Sequence, residues 1–257
     1  MTKLMVPAGT LTNNGGGAVT VNLMGQNGAT GPTGSAGATG PSGATGATGT
    51  GGGASMLVGQ GPVRYYSSGS TYHYYTALPL TAGDILILAV STQQYNVSTV
   101  SSTNVSWSQI DTAVYNSGNW TACDLWMGVV SASAVCDITI SMAGAGTAWA
   151  VVSEFSGLTG TRASHGSNSI NTNGNLTFSS ISSSSGNLVV VAFSNRGYSG
   201  IMPMYGGVIG LSSGEESNAI LPWFNFGWAK SSGAAITIVG YNAGASGAVA
   251  GVWGVIS

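Results

Sequence analysis

Charged side chains are scarce in this chain of 257 residues. Five Lys and Arg and seven Asp and Glu make up 5% of the sequence, against roughly 25% in an average soluble domain. No segment gathers enough basic residues to neutralise several phosphates or to lay a basic face on an anionic membrane. The composition therefore argues against nucleic-acid binding and against binding to a membrane surface. It predicts a surface made mainly of Ser, Thr, Asn and Gly.

Long apolar segments are also missing. The first residues, MTKLMVPAGTLTNNGGG, include one lysine but no apolar stretch of the kind found in a secretion signal, and nowhere do about 18 apolar residues follow one another. We therefore expect no insertion into a membrane. We also expect the protein to stay in the cytoplasm until it assembles.

Cysteine is rare, and a cytoplasmic location favours free thiols over a disulfide between Cys123 and Cys136. Strand alternation places Cys123 on the inward face with Leu125, and Cys136 on an inward face with Ile138. If residues 131–134 form a hairpin turn between these strands, the two cysteines lie roughly 20 Å apart. A disulfide cannot span that distance.

Acidic and imidazole side chains are too few and too scattered to form a recognisable catalytic or metal-binding motif. They are Asp84, Asp111, Asp124, Asp137, Glu154, Glu215, Glu216, His73 and His165. The sequence therefore predicts no catalytic residue, no metal site and no cofactor. We expect from this that the protein is not an enzyme.

Some of these acids have predictable surroundings. Asp84, Asp124 and Asp137 are expected at strand ends or on outward, solvated positions. Glu154 either pairs with an arginine at an interface or is exposed on an outer sheet face, and exposure is the preferred interpretation. Glu215 and Glu216 are adjacent, so in an extended segment their side chains point apart, which argues against a glycosidase pair.

Glycine, by contrast, is abundant and regularly spaced between residues 25 and 52. It recurs at every third position in the triplets GQN-GAT-GPT-GSA-GAT-GPS-GAT-GAT-GTG. A flexible linker needs glycine but not this period, whereas a collagen-like triple helix needs glycine wherever a chain meets the common axis. The repeat therefore predicts a homotrimer with a stalk roughly 80 Å long. The axis positions are Gly25, Gly28, Gly31, Gly34, Gly37, Gly40, Gly43, Gly46 and Gly49.

The remainder of the chain predicts an all-β fold. From Met56 onward, short apolar or alternating runs are separated by Gly, Ser and Asn, without a sustained helical period. The clearest strands fall in two series. The first is 83–92, 104–114, 122–130, 136–142 and 147–157, and the second is 175–181, 186–195, 224–230, 234–242 and 248–257.

The two series resemble each other, which suggests an internal duplication. GDILILAVST matches GNLVVVAFSN at an offset of 103 residues, and a segment from Ile138 matches one from Ile236 at an offset of 98. The preferred interpretation is a single jelly-roll-like β-sandwich in which both halves contribute strands to each sheet. Two independent smaller sandwiches are the alternative, and ordinary β-alternation could also produce the likeness.

Tyrosines cluster in VRYYSSGSTYHYY, residues 63–75. The sequence predicts a hairpin around SSGS, with Tyr72 and Tyr74 on one face and His73 and Tyr75 on the other. Tyrosine rings suit packing between subunits as well as stacking on sugars. Because the segment follows the stalk, trimer-interface packing is preferred to glycan binding. The candidate residues are Tyr65, Tyr66, Tyr72, His73, Tyr74 and Tyr75.

A short N-terminal segment, a Gly-X-Y stalk with GAT and GPT triplets, and a C-terminal β-sandwich together resemble the fibre, spike and decoration proteins of bacteriophages. The resemblance implies a virion-anchoring segment at 1–24, a stalk at 25–54 and a β-sandwich domain at 55–257. It also implies a structural protein on the virion surface, assembled in the host cytoplasm. Other virion proteins would bind the N-terminal segment, and the distal domain would decorate the capsid or contact the host, including a host-surface glycan.

Two further functions compete with the structural one. The first is a carbohydrate-binding surface module on a collagen-like stalk, which a secretion signal or a wall anchor would favour. The second is a hydrolase, which a cleft with paired acids would favour. The sequence shows neither feature.

Overall fold

A computed structural model describes residues 9–13, 16, 19–23, 56–76, 79–116, 121–170, 175–196, 204–205, 209–214, 223–240 and 248–257. The chain divides into two compact units, residues 1–45 and 46–257. In the first unit, β1 (Gly9–Asn13) and β2 (Val19–Leu23) pair as an antiparallel ribbon. The glycine triplets, and with them the predicted stalk, lie outside the described residues.

The described part of the second unit is all-β, with antiparallel pairing throughout. Its strands are β3 (Met56–Gln60), β4 (Arg64–Tyr75), β5 (Ile85–Gln93), β6 (Val97–Ser101), β7 (Val105–Tyr115), β8 (Thr121–Val130), β9 (Asp137–Ser156), β10 (Arg162–Ile170), β11 (Leu176–Ile181), β12 (Leu188–Arg196), β13 (Met204–Tyr205), β14 (Ile209–Gly214), β15 (Trp223–Lys230), β16 (Ile236–Gly240) and β17 (Ala248–Ile256). All ten predicted strand segments are strands, two of them joined in β9. β3, β6, β10, β13 and β14 were not foreseen.

In the first half of this unit, β4 and β9 each run through two layers. The later part of β9 pairs with β3, with the start of β4 and with β5. On its other side β5 pairs with β8, and β8 pairs with β7. The earlier part of β9 pairs with the end of β4 and with β6. We call the larger arrangement the first inner sheet and the smaller one the first outer sheet.

Glycines lie where these two long strands cross from one layer to the other. The pairing of β4 with β9 is irregular around Gly69, which faces Gly146. β4 nevertheless runs through SSGS as one strand, antiparallel to β9 on both sides of this point, so the predicted hairpin is wrong. The predicted turn at 131–134 likewise joins no hairpin, because β8 pairs with β5 and β7.

The second half repeats the strand order of the first. The second inner sheet has the order β10-β17-β12-β15-β14. Its last four strands correspond, in the same order, to β9, β5, β8 and β7 of the first inner sheet. β11, β16 and β13 form the second outer sheet in the order of β4, β9 and β6. No described sheet contains strands of both halves, so the interpretation of one sandwich completed by both halves is wrong. Each half builds its own pair of sheets.

Three apolar clusters separate four layers of sheet. A central core lies between the two inner sheets and joins residues of β5, β8 and β9 to residues of β12, β15 and β17. An outer core on each side fills the space between an inner and an outer sheet. Because an inner sheet is covered on both faces, its central strands are buried along their length, as ILILAVST in β5 is, whereas the edge strands β7 and β10 are partly exposed.

Polar contacts add to the central core where the halves meet. The hydroxyls of Ser91 and Ser194 lie 2.6 Å apart, and these are the two serines that the offset of 103 residues matches. At one edge, Arg162 on β10 donates hydrogen bonds to the carbonyls of Gln109 and Ile110 on β7, at 2.7 and 2.9 Å. The equivalence of Ser91 and Ser194 and their contact indicate a pseudo-twofold relation between the halves.

The two cysteines are free and buried, as predicted. Cys123 belongs to the central core and Cys136 to the first outer core. They therefore lie on opposite sides of the first inner sheet. This sheet, and not the predicted spacing along a hairpin, keeps the two thiols apart.

Candidate functional site

The tyrosine strand β4 divides its side chains between interior and surface as the alternation predicts. Tyr72 and Tyr74 are 6% and 1% exposed and belong to the first outer core. The hydroxyl of Tyr74 donates to the carbonyl of Pro62 at 2.7 Å, and that of Tyr72 to the carbonyl of Gly146. Burial raises the pKa of both phenols. These two rings hold the layers of the chain's own sandwich together.

The two tyrosines at the start of β4 are partly buried. Tyr65 packs against Trp149, with ring centroids 5.0 Å apart, at the margin of the central core. Tyr66 stacks on Tyr72 at 4.7 Å and donates its hydroxyl to the carbonyl of His73 at 3.0 Å. Burial raises the pKa of Tyr66. Both rings therefore make aromatic contacts inside the chain and are only partly open to solvent.

Tyr75 and His73 form the exposed part of the strand. Tyr75 is 59% exposed, and its ring stacks on that of His73 with centroids 6.2 Å apart. Nδ1 of His73 lies 3.0 Å from a carboxylate oxygen of Asp137, which is solvated as predicted. Of the six candidate residues, this pair offers an aromatic surface to a partner. Whether that partner is another subunit or a glycan stays a prediction.

A pocket of about 180 Å³ lies beside this surface, where the later part of β3 meets the end of β4. Apolar side chains form most of its wall. Glu154 and the hydroxyl-bearing Tyr74 and Thr76 also line it. The lining residues are Val58, Gly59, Gln60, Gly61, Tyr74, Thr76, Pro79, Leu80, Val152 and Glu154.

Glu154, which lines this pocket, pairs with the carboxyl group of Asp84, and sequence reasoning missed this pair. Glu154 is 9% exposed and Asp84 is 8% exposed, so the expectations of an exposed Glu154 and a solvated Asp84 are wrong. One Glu154 oxygen accepts a hydrogen bond from the amide of Thr81 at 2.7 Å. Burial, and then the charge and hydrogen bond of Glu154, raise the pKa of Asp84 to about 6. Asp84 therefore holds its proton in mildly acidic solution.

A third acid, Asp124, is fully buried, which also corrects its predicted solvated position. Its oxygens accept hydrogen bonds from the amide of Val97 and the side-chain nitrogen of Gln109, both at 3.2 Å. Burial raises its pKa to about 7. Alternation correctly places Asp124 on the face opposite Cys123 and Leu125. On an inner sheet, however, that face is covered by the outer core and not by solvent.

The remaining ionisable candidates do not converge. Asp111 pairs with His165 at 2.8 Å where β7 meets β10. Glu215 and Glu216 lie outside the described residues. Within the part of the chain that the structure describes, no three His, Cys, Asp or Glu side chains are grouped as metal ligands.

No helix among the described residues has the length and apolar character needed to cross a bilayer.

Comparison of the chain with protein-family models, with curated proteins and with solved structures finds no match.

Proposed function

We propose that this protein is a homotrimeric structural protein in which a collagen-like stalk carries a β-sandwich domain on the surface of a virion. The observation that carries the proposal is the glycine at every third position from residue 25 to residue 52. A triple helix requires that spacing because only glycine fits where the three chains meet. Three parallel copies therefore share one axis, and each delivers its sandwich domain at the end of the stalk.

The fold of the domain supports a structural role. In each half, the inner and outer sheets have strand orders close to those of a jelly roll, an architecture common in viral capsid and lectin domains. The fold alone does not assign a function. It does supply a rigid body with two covered inner sheets, and its surface carries few charges that would attract unrelated partners.

The rest of the assembly follows from the resemblance to phage fibre and decoration proteins. Residues 1–24 dock on other virion proteins, assembly takes place in the host cytoplasm, and the distal domain decorates the particle or contacts the host surface. Antibodies against the sandwich domain should label purified particles in electron micrographs. Labelling of the host envelope and not of particles would count against this location.

Carbohydrate binding on a collagen-like stalk is the second candidate function. The stacked and exposed pair of His73 and Tyr75 favours it, because a sugar ring can lie on an exposed aromatic face. Binding of the intact protein to a glycan array, lost in Tyr75→Ala, would support this function.

The trimer is tested on the full chain. Sedimentation at micromolar concentration should give three times the chain mass of 25.5 kDa. Gly37→Val places a side chain at the axis and should lower the melting temperature of the triple-helical circular-dichroism signal, whereas Ala38→Val, beside it but off the axis, should leave that temperature nearly unchanged. A monomeric wild-type chain, or equal effects of the two substitutions, would contradict the proposal.

A further inference from the structure

Exposed apolar side chains are concentrated at one end of the first half. The large apolar residues that the structure shows as exposed are Val58, Tyr75, Tyr95, Val129 and Val135. Four of these five lie at the end where β3 begins and β9 terminates. We call this the stalk-proximal end, because the glycine repeat precedes β3 in the chain.

Strand pairing establishes that these residues share one end. Met56 at the start of β3 faces Ser156 at the end of β9, and Ile85 at the start of β5 faces both Phe155 and Val129. Val129 therefore belongs to the same row as the start of β3.

The end of β4 reaches the same place from the outer sheet. Val58 and Thr76 line one pocket, so Tyr75 at the end of β4 lies close to β3. The amide of Thr76 donates to the carbonyl of Cys136 at 3.0 Å, which places Val135 beside Tyr75. Val58, Tyr75 and Val135 are each at least half exposed, at 50%, 59% and 58%.

Tyr95 is at the opposite end. It follows β5, whose nine residues span roughly 30 Å, and its ring lies against Gly144, where β9 crosses between layers. It is 40% exposed. It therefore serves as a matched aromatic residue on the same half, far from the stalk-proximal end.

We infer that the stalk-proximal surface formed by Val58, Tyr75 and Val135 is a contact between neighbouring copies of this chain. The inference rests on the proposed trimer. Three chains leave a triple helix around one axis, and the six residues from Gly52 to Val58 reach at most about 20 Å. The stalk thus holds this surface of each copy within reach of the other two copies.

The chemistry of the surface suits burial against a second copy. Its apolar side chains gain from removal from water, and the adjoining pocket of about 180 Å³ adds a concave part. Around it, Asp137 is paired with His73, and Asp84 and Glu154 are already buried. The contact therefore covers no unpaired carboxylate of this group, a burial that would be costly.

Three substitutions in the full chain test the inference. Tyr75→Ser should raise the concentration at which the trimer dissociates by about tenfold or more, as expected for loss of an interfacial tyrosine. Tyr95→Ser should change it by less than about twofold, as expected for a tyrosine outside the interface. Val135→Asp should weaken the trimer at least as much as Tyr75→Ser, because it buries an unpaired charge. Unchanged far-ultraviolet circular dichroism verifies that each variant is folded.

Chemical footprinting of tyrosines in the wild-type trimer gives an independent measurement, with Tyr75 protected and Tyr95 modified. A trimer in which Tyr75 is modified as fast as Tyr95, and in which Tyr75→Ser has no effect, would overturn the contact and leave the proposed trimer intact. A monomeric wild-type chain would overturn both. A stable dimer with Tyr75 protected would support the contact and overturn the trimer.

Discussion

At the scale of single residues, Asp124 couples stability to pH. Its pKa is raised from an ordinary value of 3.8 to about 7 by burial. Between these pH values the folded chain holds a proton that the unfolded chain releases, so stability is highest at the acidic end and falls as the pH rises toward 7. The buried Asn225 faces Phe193 as Asp124 faces Val90, which indicates that the fold accepts an amide at this position.

Asp124→Asn should therefore remove most of this pH dependence. The free energy of unfolding of the wild type should fall by an amount on the order of 3 kcal/mol between acidic and neutral pH, and that of the variant should fall much less. Chemical denaturation at several pH values measures this. The residual slope should follow Asp84, whose pKa is raised to about 6. Asp137→Asn, at an exposed aspartate, is the control, and an unchanged slope in Asp124→Asn would refute the assignment.

At the scale of elements, the passage of β4 and β9 between layers depends on Gly146. A Cβ added there would overlap the carbonyl oxygen of Gln93, and a backbone atom of a paired strand cannot move aside cheaply. The carbonyl of Gly146 also accepts the hydroxyl of Tyr72. The crossing thus joins three strands at one point.

Gly146→Ala should lower the free energy of unfolding by roughly 1–3 kcal/mol through overpacking. Gly59→Ala is the matched control, because a Cβ at Gly59 meets nothing within 4 Å. Thermal or chemical denaturation compares the two variants. Equal stability of both would show that the crossing tolerates a side chain and that its path is set elsewhere.

At the scale of the whole molecule, the shared central core should make the two halves unfold together. Phe226 is fully buried in this core on the second half, and Cys136 is buried in the first outer core on the other side of the first inner sheet. Phe226→Ala should cost about 3–5 kcal/mol. Labelling of the Cys136 thiol should then accelerate in proportion, although no contact to it changes.

Denaturation followed by tryptophan fluorescence and by thiol labelling should give one midpoint in the wild type and one lower midpoint in Phe226→Ala. If Cys136 stays protected while the fluorescence midpoint falls, the halves unfold independently and the joint between them is weak.

The site was predictable only in part. The facing of Tyr72, Tyr74, His73 and Tyr75 followed from alternation, because a strand with one wet face must place alternate side chains in the core. The pairing of Asp84 with Glu154 was not predictable, since the two residues are 70 positions apart and meet only because β5 and β9 are neighbours. The pocket beside them depends on the same meeting of distant strands.

The sequence by itself determined the positions of ten strand segments and the reduced, buried cysteines. Alternating segments such as TYHYY became outer strands, and continuous apolar segments such as ILILAV became inner ones, because hydrophobic burial acts on each strand locally. Only the tertiary structure decided which strands pair. β-pairing joins residues far apart in the chain, and the apolar pattern does not specify the partners. A hairpin around SSGS and a sheet shared by both halves are therefore as compatible with the sequence as the pairing that the structure shows. The closure of the layers placed Asp124 and Glu154 inside, because a second sheet covers a face that a single sandwich would have left in water.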